Sequence, residues 1–487
     1  MNIKEKTMSG LFWTFSQQIS EKFINLIIQI LIARLLLPSD FGLLAMVIVF
    51  IAIGNSLSDG GLTSSLIRTT DVTENDYSSV FYLNIIVSIF IYFIFFFIAP
   101  LISIFYNEPI LINVIRVFSF NFIIRAFVGV QTAILTKSFQ FRKIMTIQVP
   151  SVIAGGAIGI FLGYEGYGVW SLVWLNLVQS IFLAIQYWIR SEWHPRIIMK
   201  WKLVKKHFSF GYKLMIASLL NSIFENIYNL LIGKWYTPLQ LGYYNRADSF
   251  QSFPLRMIIT ALKSVAYPVL SSIQNDDDQL RIYYRKMILH VVFLVTPLMI
   301  LLIIIAKPMF SLLLTDKWLP AVPYFQVLCL SSIFYPLQEY NLQILDVKGR
   351  SDLYLKIEIV KKVIIILAIA IAFQFGIYGL LFAQVILSIF FFFIGAFVCG
   401  KMIHLYVIEQ LKIIFPILIL SIVVGIFIWS SMFLLQKLDI SNLVMIFLSS
   451  LIYFSIYLLF SSIFRIEALY DLKNIFKDYK TSHRIKF

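Results

Sequence analysis

Charge is scarce in this chain. Asp, Glu, Lys and Arg together make up 13% of its 487 residues, where a soluble globular protein carries about 25%. Hydrophobic residues make up 60%, more than a water-facing fold of this length can bury. A soluble fold is excluded, and the solvent for most of these side chains is lipid. Cysteine is nearly absent. Cys329 and Cys399 stand alone in apolar stretches, which excludes a disulfide framework or a thiolate metal site and leaves a packing role. Catalytic signatures are missing too. There is no Walker-type phosphate loop, no His/Glu metal pair at helical spacing and no serine elbow. The run Asp276-Asp277-Asp278 lacks the spacing of a calcium loop and reads as a solvated charge run. No connection is long enough for a soluble catalytic domain. The expectation is a protein with no catalytic residue, no metal and no cofactor. A small-residue cleavage site after Met1 to Gly10 is also lacking, so the first helix is expected to stay in the mature protein.

What the chain does have is long apolar runs, with 46 phenylalanines among them. A membrane-spanning helix needs about 20 largely apolar residues. Fourteen such runs can be read, at 11–36, 40–58, 78–104, 109–135, 144–163, 167–189, 209–233, 239–270, 286–306, 320–346, 353–374, 377–400, 411–434 and 441–463. The first, seventh and eighth contain charges. The net charge of +15 would suggest nucleic acid in a soluble protein, but here it is distributed by side. Alternate connections carry Lys4 and Lys6, Arg68, Lys137, Arg142 and Lys143, Arg190 to Lys206, Arg281 to Lys286, Lys348 and Arg350, and Lys401. The basic tail belongs to the same set. The opposite set offers only Arg34, Lys234, Lys307, Lys317 and Lys437. The excess of positive charge marks one side as cytoplasmic and puts both termini there. The basic connection at 190–208, with Trp193 and Trp201, reads as a segment lying on the cytoplasmic leaflet.

The chain also repeats itself. A shift of 200 residues lays Pro38 on Pro238 and Gly42 on Gly242. It lays Glu21, Asn25 and Gln29 on Asn221, Glu225 and Asn229. Each triplet, spaced by four, forms one polar stripe on a helix. Each half then holds six helices, and an even number keeps both halves in the same orientation, a parallel repeat with its pseudo-twofold axis along the membrane normal. The expected organisation is an N-lobe at 1–189, a basic linker at 190–208 and a C-lobe at 209–400. Two further helices follow at 401–463, then a basic cytoplasmic tail at 464–487. Parallel repeats of this kind suit a transporter that works by alternating access.

Ionisable residues inside a membrane are costly and mark substrate or ion paths. Arg116 and Arg125 fall in the fourth run and Arg256 and Lys263 in the eighth. Arg256, Thr260 and Lys263 share a helix face without an acid on that stripe, which suits an anionic ligand. Guanidinium groups meet phosphate oxygens through a planar fork. Arg116, Arg125, Arg256 and Lys263 are therefore candidates to line a substrate cavity, and the amides Asn25, Gln29 and Asn229 to meet a sugar. The carboxylates Glu21, Glu225 and Glu339 are candidates to bind a coupling ion, a proton or sodium.

Several segments together resemble the polysaccharide transporter family, the Wzx-type flippases of the multidrug/oligosaccharidyl-lipid/polysaccharide superfamily. They include Gly10-Leu11-Phe12-Trp13, the stretch Ala33 to Leu44, Leu57 to Leu62 and Phe139 to Arg142. Further on come Gly166 to Val173, Leu241 to Ala247 and Tyr267 to Ser271. The resemblance spans roughly residues 8 to 400 and is nearest the colanic-acid exporter branch. It implies an all-α, MATE-like membrane fold of about 14 transmembrane helices, with two six-helix lobes plus two C-terminal helices. It further implies flipping of undecaprenyl-pyrophosphate-linked oligosaccharides from the cytoplasmic to the periplasmic leaflet of the bacterial inner membrane. Such units feed O-antigen, capsule or exopolysaccharide assembly, with a polysaccharide polymerase or export machinery as partner. A multidrug or cation antiporter of the same superfamily is the alternative, and it would prefer an acidic cavity. A membrane polymerase or ligase would need positioned catalytic groups and a sizeable external loop.

Overall fold

The computed structural model describes residues 3–436 and 440–474, leaving out the side chains of 3–12, 14–16, 18, 261–265 and 433–436. The described residues are helical throughout their regular structure. The helices are α1 (Ile3–Leu35), α2 (Pro38–Asp59), α3 (Leu62–Arg68), α4 (Glu74–Tyr106), α5 (Leu111–Phe118) and α6 (Asn121–Lys137). Next come α7 (Phe141–Tyr164), α8 (Val169–Arg190), α9 (Trp201–Glu225), α10 (Ile227–Trp235), α11 (Pro238–Ser272) and α12 (Asp277–Leu314). Then follow α13 (Val322–Val347), α14 (Ser351–Ala372), α15 (Gly376–Ile403), α16 (Val407–Gln436) and α17 (Asn442–Ile463). Ten described segments are long and apolar enough to cross a membrane, or eleven with α9 and α10 taken as one span bent by 46°. The chain is a multi-pass membrane protein. One of the ten covers both α14 and α15, and α1 and α11 are 33 and 35 residues long but carry charges. Counting those separately is consistent with fourteen.

Packing divides the chain into two compact units, Met1–Asn245 and Arg246–Phe487. In the first, α7 is a spine of small residues. A Cβ on Gly156 would collide with Ile28 of α1, and one on Gly159 would come within 2.8 Å of Leu175 Cβ on α8. Lipid gives apolar helices no reason to leave it for one another, so close backbone approach supplies the attraction. Glycines at 155, 159 and 163 let α7 pack tightly against both neighbours.

The repeat is visible as a contact inside this unit. A Cβ on Gly42 would strike the carbonyl of Pro238, and a Cβ on Gly242 would strike the carbonyl of Pro38. Residue i meeting j′ while i′ meets j is the mark of a local twofold. Each proline starts its helix, where a missing N–H costs nothing. Each glycine, one turn on, lets the two helix starts cross.

The segment at 190–208 departs from expectation. It is a loop at 191–200, after which α9 begins at Trp201. Trp193 is 8% exposed and belongs to a core with Leu62, Leu66, Val80 and Phe81; of the two tryptophans only Trp201 is exposed. The loop is tied down because the Arg196 and Lys200 backbone N–H groups donate to Ser78 Oγ and Ser79 Oγ, both at 3.0 Å. Those serines sit near the start of α4, whose N-cap Thr73 and Asp76 bond reciprocally in a capping box.

In the second unit α12 is central, with α13, α16 and α17 packed along it. Three buried tyrosines satisfy their hydroxyls across helix pairs, since lipid offers a polar group no partner. Tyr284 donates to Asn341 Oδ1 at 2.7 Å, Tyr457 to the Phe293 carbonyl at 3.1 Å and Tyr453 to the Ser421 carbonyl at 3.2 Å. Cys329 and Cys399 are free and fully buried.

Candidate functional site

A charged side chain midway along a spanning helix either pairs inside the protein or faces water, since facing lipid is costly. Arg125 stands near the middle of the span Leu111–Lys137. Its neighbours Phe122, Ile124 and Ala126 are buried while Arg125 is exposed. Asp59, at the end of α2, lies within electrostatic reach of it and accepts a 2.5 Å hydrogen bond from Thr63. Asn84, buried on α4, brings its amide against Gly129, one turn past Arg125. The side of α6 that carries Arg125 is thus polar, with one acid near one base.

The second unit repeats the arrangement on α11. Arg256 stands near the middle of that helix. Leu255 and Ile259 pack inward, whereas Arg256 and Thr260 are exposed. Asp248, two turns back, lies within electrostatic reach of Arg256 and accepts from Gln251 Nε2 at 3.1 Å. Lys263 is on the same helix, with its side chain outside the described residues.

The remaining candidates fall in several places. Glu21, Asn25 and Gln29 are half-buried along α1, and Glu21 comes close enough to Tyr187 of α8 to act on it electrostatically. Arg116 is occupied in part: its Nε donates to the Phe96 carbonyl at 3.2 Å, and its guanidinium stacks 4.3 Å over the Phe96 ring. Glu225 is the last residue of α9, exposed at the break before α10. Asn229 lies one turn past that break, its Nδ2 donating to Asn226 Oδ1 at 3.4 Å. Broken helices inside membranes tend to occur where the backbone lines a cavity. Glu339 lines a recess of 260 Å³ in the second unit with Gln343, Asp346, Tyr267 and Tyr354.

Sequence reasoning missed a buried polar clasp in the first unit. Ser65 Oγ and His207 Nδ1 are 2.9 Å apart, and so are His207 Nε2 and Asp76 Oδ1. A neutral ring that donates from Nε2 to an ionised carboxylate must accept the Ser65 hydroxyl at Nδ1. These are the residue types of a hydrolytic triad, but Ser65, Asp76 and His207 are only 3%, 1% and 0% exposed. No carbonyl can approach such a serine, so the geometry does not act as a nucleophile. Instead it binds α9 to α3 and α4. Along the same seam Ser56 meets Ser218 and Ser222, each at 3.1 Å, and Gly61 lies against Gly211 so closely that no Cβ fits. The left-handed turn at Gly60 and Gly61 (φ 57° and 69°), which favours glycine, brings the two backbones together. The residues concerned run from position 56 to position 222, and no local spacing signals them.

Among the described residues no group of three or more His, Cys, Asp or Glu could hold a metal ion.

The family model described as polysaccharide biosynthesis protein matches residues 31–323, more than half of the chain. The chain belongs to this family. The match contains Arg116, Arg125, Glu225, Asn229, Arg256 and Lys263; Glu21, Asn25, Gln29 and Glu339 lie outside it. One relative is the lipopolysaccharide biosynthesis protein WzxC of Escherichia coli (strain K12), 25% identical over 401 residues, covering 81% of this chain and 82% of WzxC. Among solved structures, the lipid II flippase MurJ in an inward closed conformation superposes with a TM-score of 0.73 at 17% identity, over 92% of this chain and 98% of that one. An inward-facing multidrug resistance transporter of the MATE family superposes with a TM-score of 0.58 at 14% identity, over 78% and 95%. At those identities the likeness establishes the fold: the family member has the all-α, MATE-like architecture expected from its sequence.

Proposed function

We propose that this protein flips undecaprenyl-pyrophosphate-linked oligosaccharides from the cytoplasmic to the periplasmic leaflet of the bacterial inner membrane, feeding assembly of a surface polysaccharide. The observation that carries the reading is one exposed guanidinium group near the middle of a long helix in each unit, Arg125 in the apolar span Leu111–Lys137 and Arg256 on α11. A pyrophosphate leaving water loses strong hydration, and charge-assisted hydrogen bonds from guanidinium offset that loss. The lipid tail stays in the bilayer throughout, while Asn25, Gln29 and Asn229 offer amides to the sugar. The family membership, the WzxC relative and the fold shared with a lipid II flippase support the same reading.

No covalent bond is made or broken in this scheme, and the buried state of Ser65 is in keeping with that. Energy comes from a proton or sodium gradient acting on Glu21, Glu225 or Glu339. Both termini lie in the cytoplasm, on the side marked by the basic loops. A polymerase or export complex takes the product on the far side.

The test is a flipping assay in proteoliposomes with a fluorescent undecaprenyl-pyrophosphate oligosaccharide and a quencher that cannot cross the bilayer. Substrate should reach the far leaflet only with intact protein, faster under an imposed proton or sodium gradient. Robust efflux of a cationic dye without any movement of sugar lipid would overturn the reading in favour of a drug antiporter.

A further inference from the structure

Three cavities in the second unit join end to end. The first, of 470 Å³, is lined by Arg281, Arg285, Lys412, Arg465, Glu409 and Glu467 among others. The second, of 610 Å³, shares Arg285, Arg465 and Glu467 with it and adds Lys286, Tyr470 and Asp471, so the joined mouth holds more cations than acids. The third, of 710 Å³, is a groove between α16 and α17 lined by apolar side chains alone, from Pro416 to Phe427 on one wall and from Ile456 to Phe464 on the other. Pro416, Phe464 and Ile466 belong to both the first cavity and the groove.

The charges in this mouth do not cancel. Glu409 holds Arg281 at 2.7 Å, and Glu467 holds Arg285 at 2.8 Å. Lys412 and Arg465 are exposed and form no ion pair among the described residues. Arg465 also has a φ of 51°, a left-handed conformation that costs a residue with a Cβ and recurs at ligand clamps. The groove descends eleven residues of α16, about 16 Å at 1.5 Å per residue, close to half of the roughly 30 Å hydrocarbon core. A surplus of cations above an apolar slot one leaflet deep matches an amphiphile with an anionic head. The mouth lies at the helix ends that the basic loops mark as cytoplasmic, and basic pockets between helices on that side suit anionic headgroups.

We propose that this is a binding site for an anionic phospholipid of the cytoplasmic leaflet. Its phosphate sits on Lys412 and Arg465, and one acyl chain lies in the groove between α16 and α17. The site is independent of the transport reading above and stands or falls separately from it.

The experiment titrates phosphatidylglycerol into the delipidated full-length protein in neutral detergent and counts bound lipid by native mass spectrometry. One phosphatidylglycerol should bind in preference to phosphatidylethanolamine. The double variant Lys412→Ala, Arg465→Ala should weaken it by about tenfold for each cation removed. The charge-keeping pair Lys412→Arg, Arg465→Lys should retain it. Val423→Trp, at a position 58% exposed on the groove wall, should block the chain without disturbing the core. Equal binding of both lipids to the wild-type protein would overturn the proposal without recourse to any variant, as would unchanged binding in the alanine pair. Displacement of the lipid by inorganic phosphate alone would reduce the site to an ion pocket. One-for-one displacement by undecaprenyl phosphate at equal concentration would assign the groove to a polyprenyl tail. Either result refutes a resident phospholipid.

Discussion

Replacing His207 by alanine should loosen α9 from the first unit. Asp76 is 1% exposed and accepts from the Thr73 N–H at 2.9 Å, the Thr73 hydroxyl at 2.5 Å and His207 at 2.9 Å, with Lys206 at 3.4 Å. Alanine removes a hydrogen bond to a charged group, worth about 1.5–3 kcal/mol, and strands the Ser65 hydroxyl for about 1 kcal/mol more. The vacated ring volume adds to this, so the substitution should cost about 3–5 kcal/mol in all. That corresponds to a melting shift on the order of 10 °C for a unit of this size. Trp193 is a suitable reporter, because it packs on Phe81 beside the clasp and its emission should redden as the seam opens. Asp76→Asn combined with His207→Ala should cost less than the sum of the two single changes, because the stranded charge is gone. A coupling of about 1.5–3 kcal/mol is expected. Additive effects, within about 0.5 kcal/mol, or a His207→Ala protein melting like the wild type, would refute the clasp.

The crossing of the two repeats should tolerate nothing larger than glycine. Gly42→Val and Gly242→Val should each destabilise by about 1–3 kcal/mol or more through overpacking, seen as lower melting temperatures of similar size because the contact is reciprocal. On the α7 spine, Gly159→Leu should separate α7 from α8 and α1, lowering the yield of folded protein, whereas a leucine at exposed Ile153 should be neutral. Arg125→Gln and Arg256→Gln should each slow flipping by about tenfold or more, as loss of a charge-assisted bond to phosphate predicts, with melting temperature unchanged; lysine at either position should recover part of the rate. Glu339→Gln should abolish acceleration by an imposed gradient while sparing slow, gradient-independent flipping.

Much of this protein could be read without coordinates because lipid simplifies the problem. Membrane-spanning helices must satisfy their own backbone, so apolar length alone delimits most of the helices, and those richer in charge, α1, α9 and α11, are the ones whose hydropathy is ambiguous. The repeat was legible for a similar reason. Pro38 and Pro238, Gly42 and Gly242 are kept in register by a contact that admits no other shape. The short helix α3, the break between α5 and α6 and the bend at Asn226 were not legible, since each turns on local packing that leaves hydropathy unchanged.

The candidate site divides along the same line. Sequence alone pointed to ionisable residues within long apolar runs, because expected depth follows from position along such a run. It could not say which of them are occupied. Arg116 and Arg125 are nine residues apart in one span, yet only the tertiary structure puts the first on the Phe96 ring and carbonyl and the second on the exposed, polar side of its helix near Asp59. Trp193 was an anchor by composition and is a core residue by packing. Chain pattern sets depth and periodicity, which are properties of one helix in lipid. Partners belong to pairs of helices distant in sequence, and those were decided only when the helices packed.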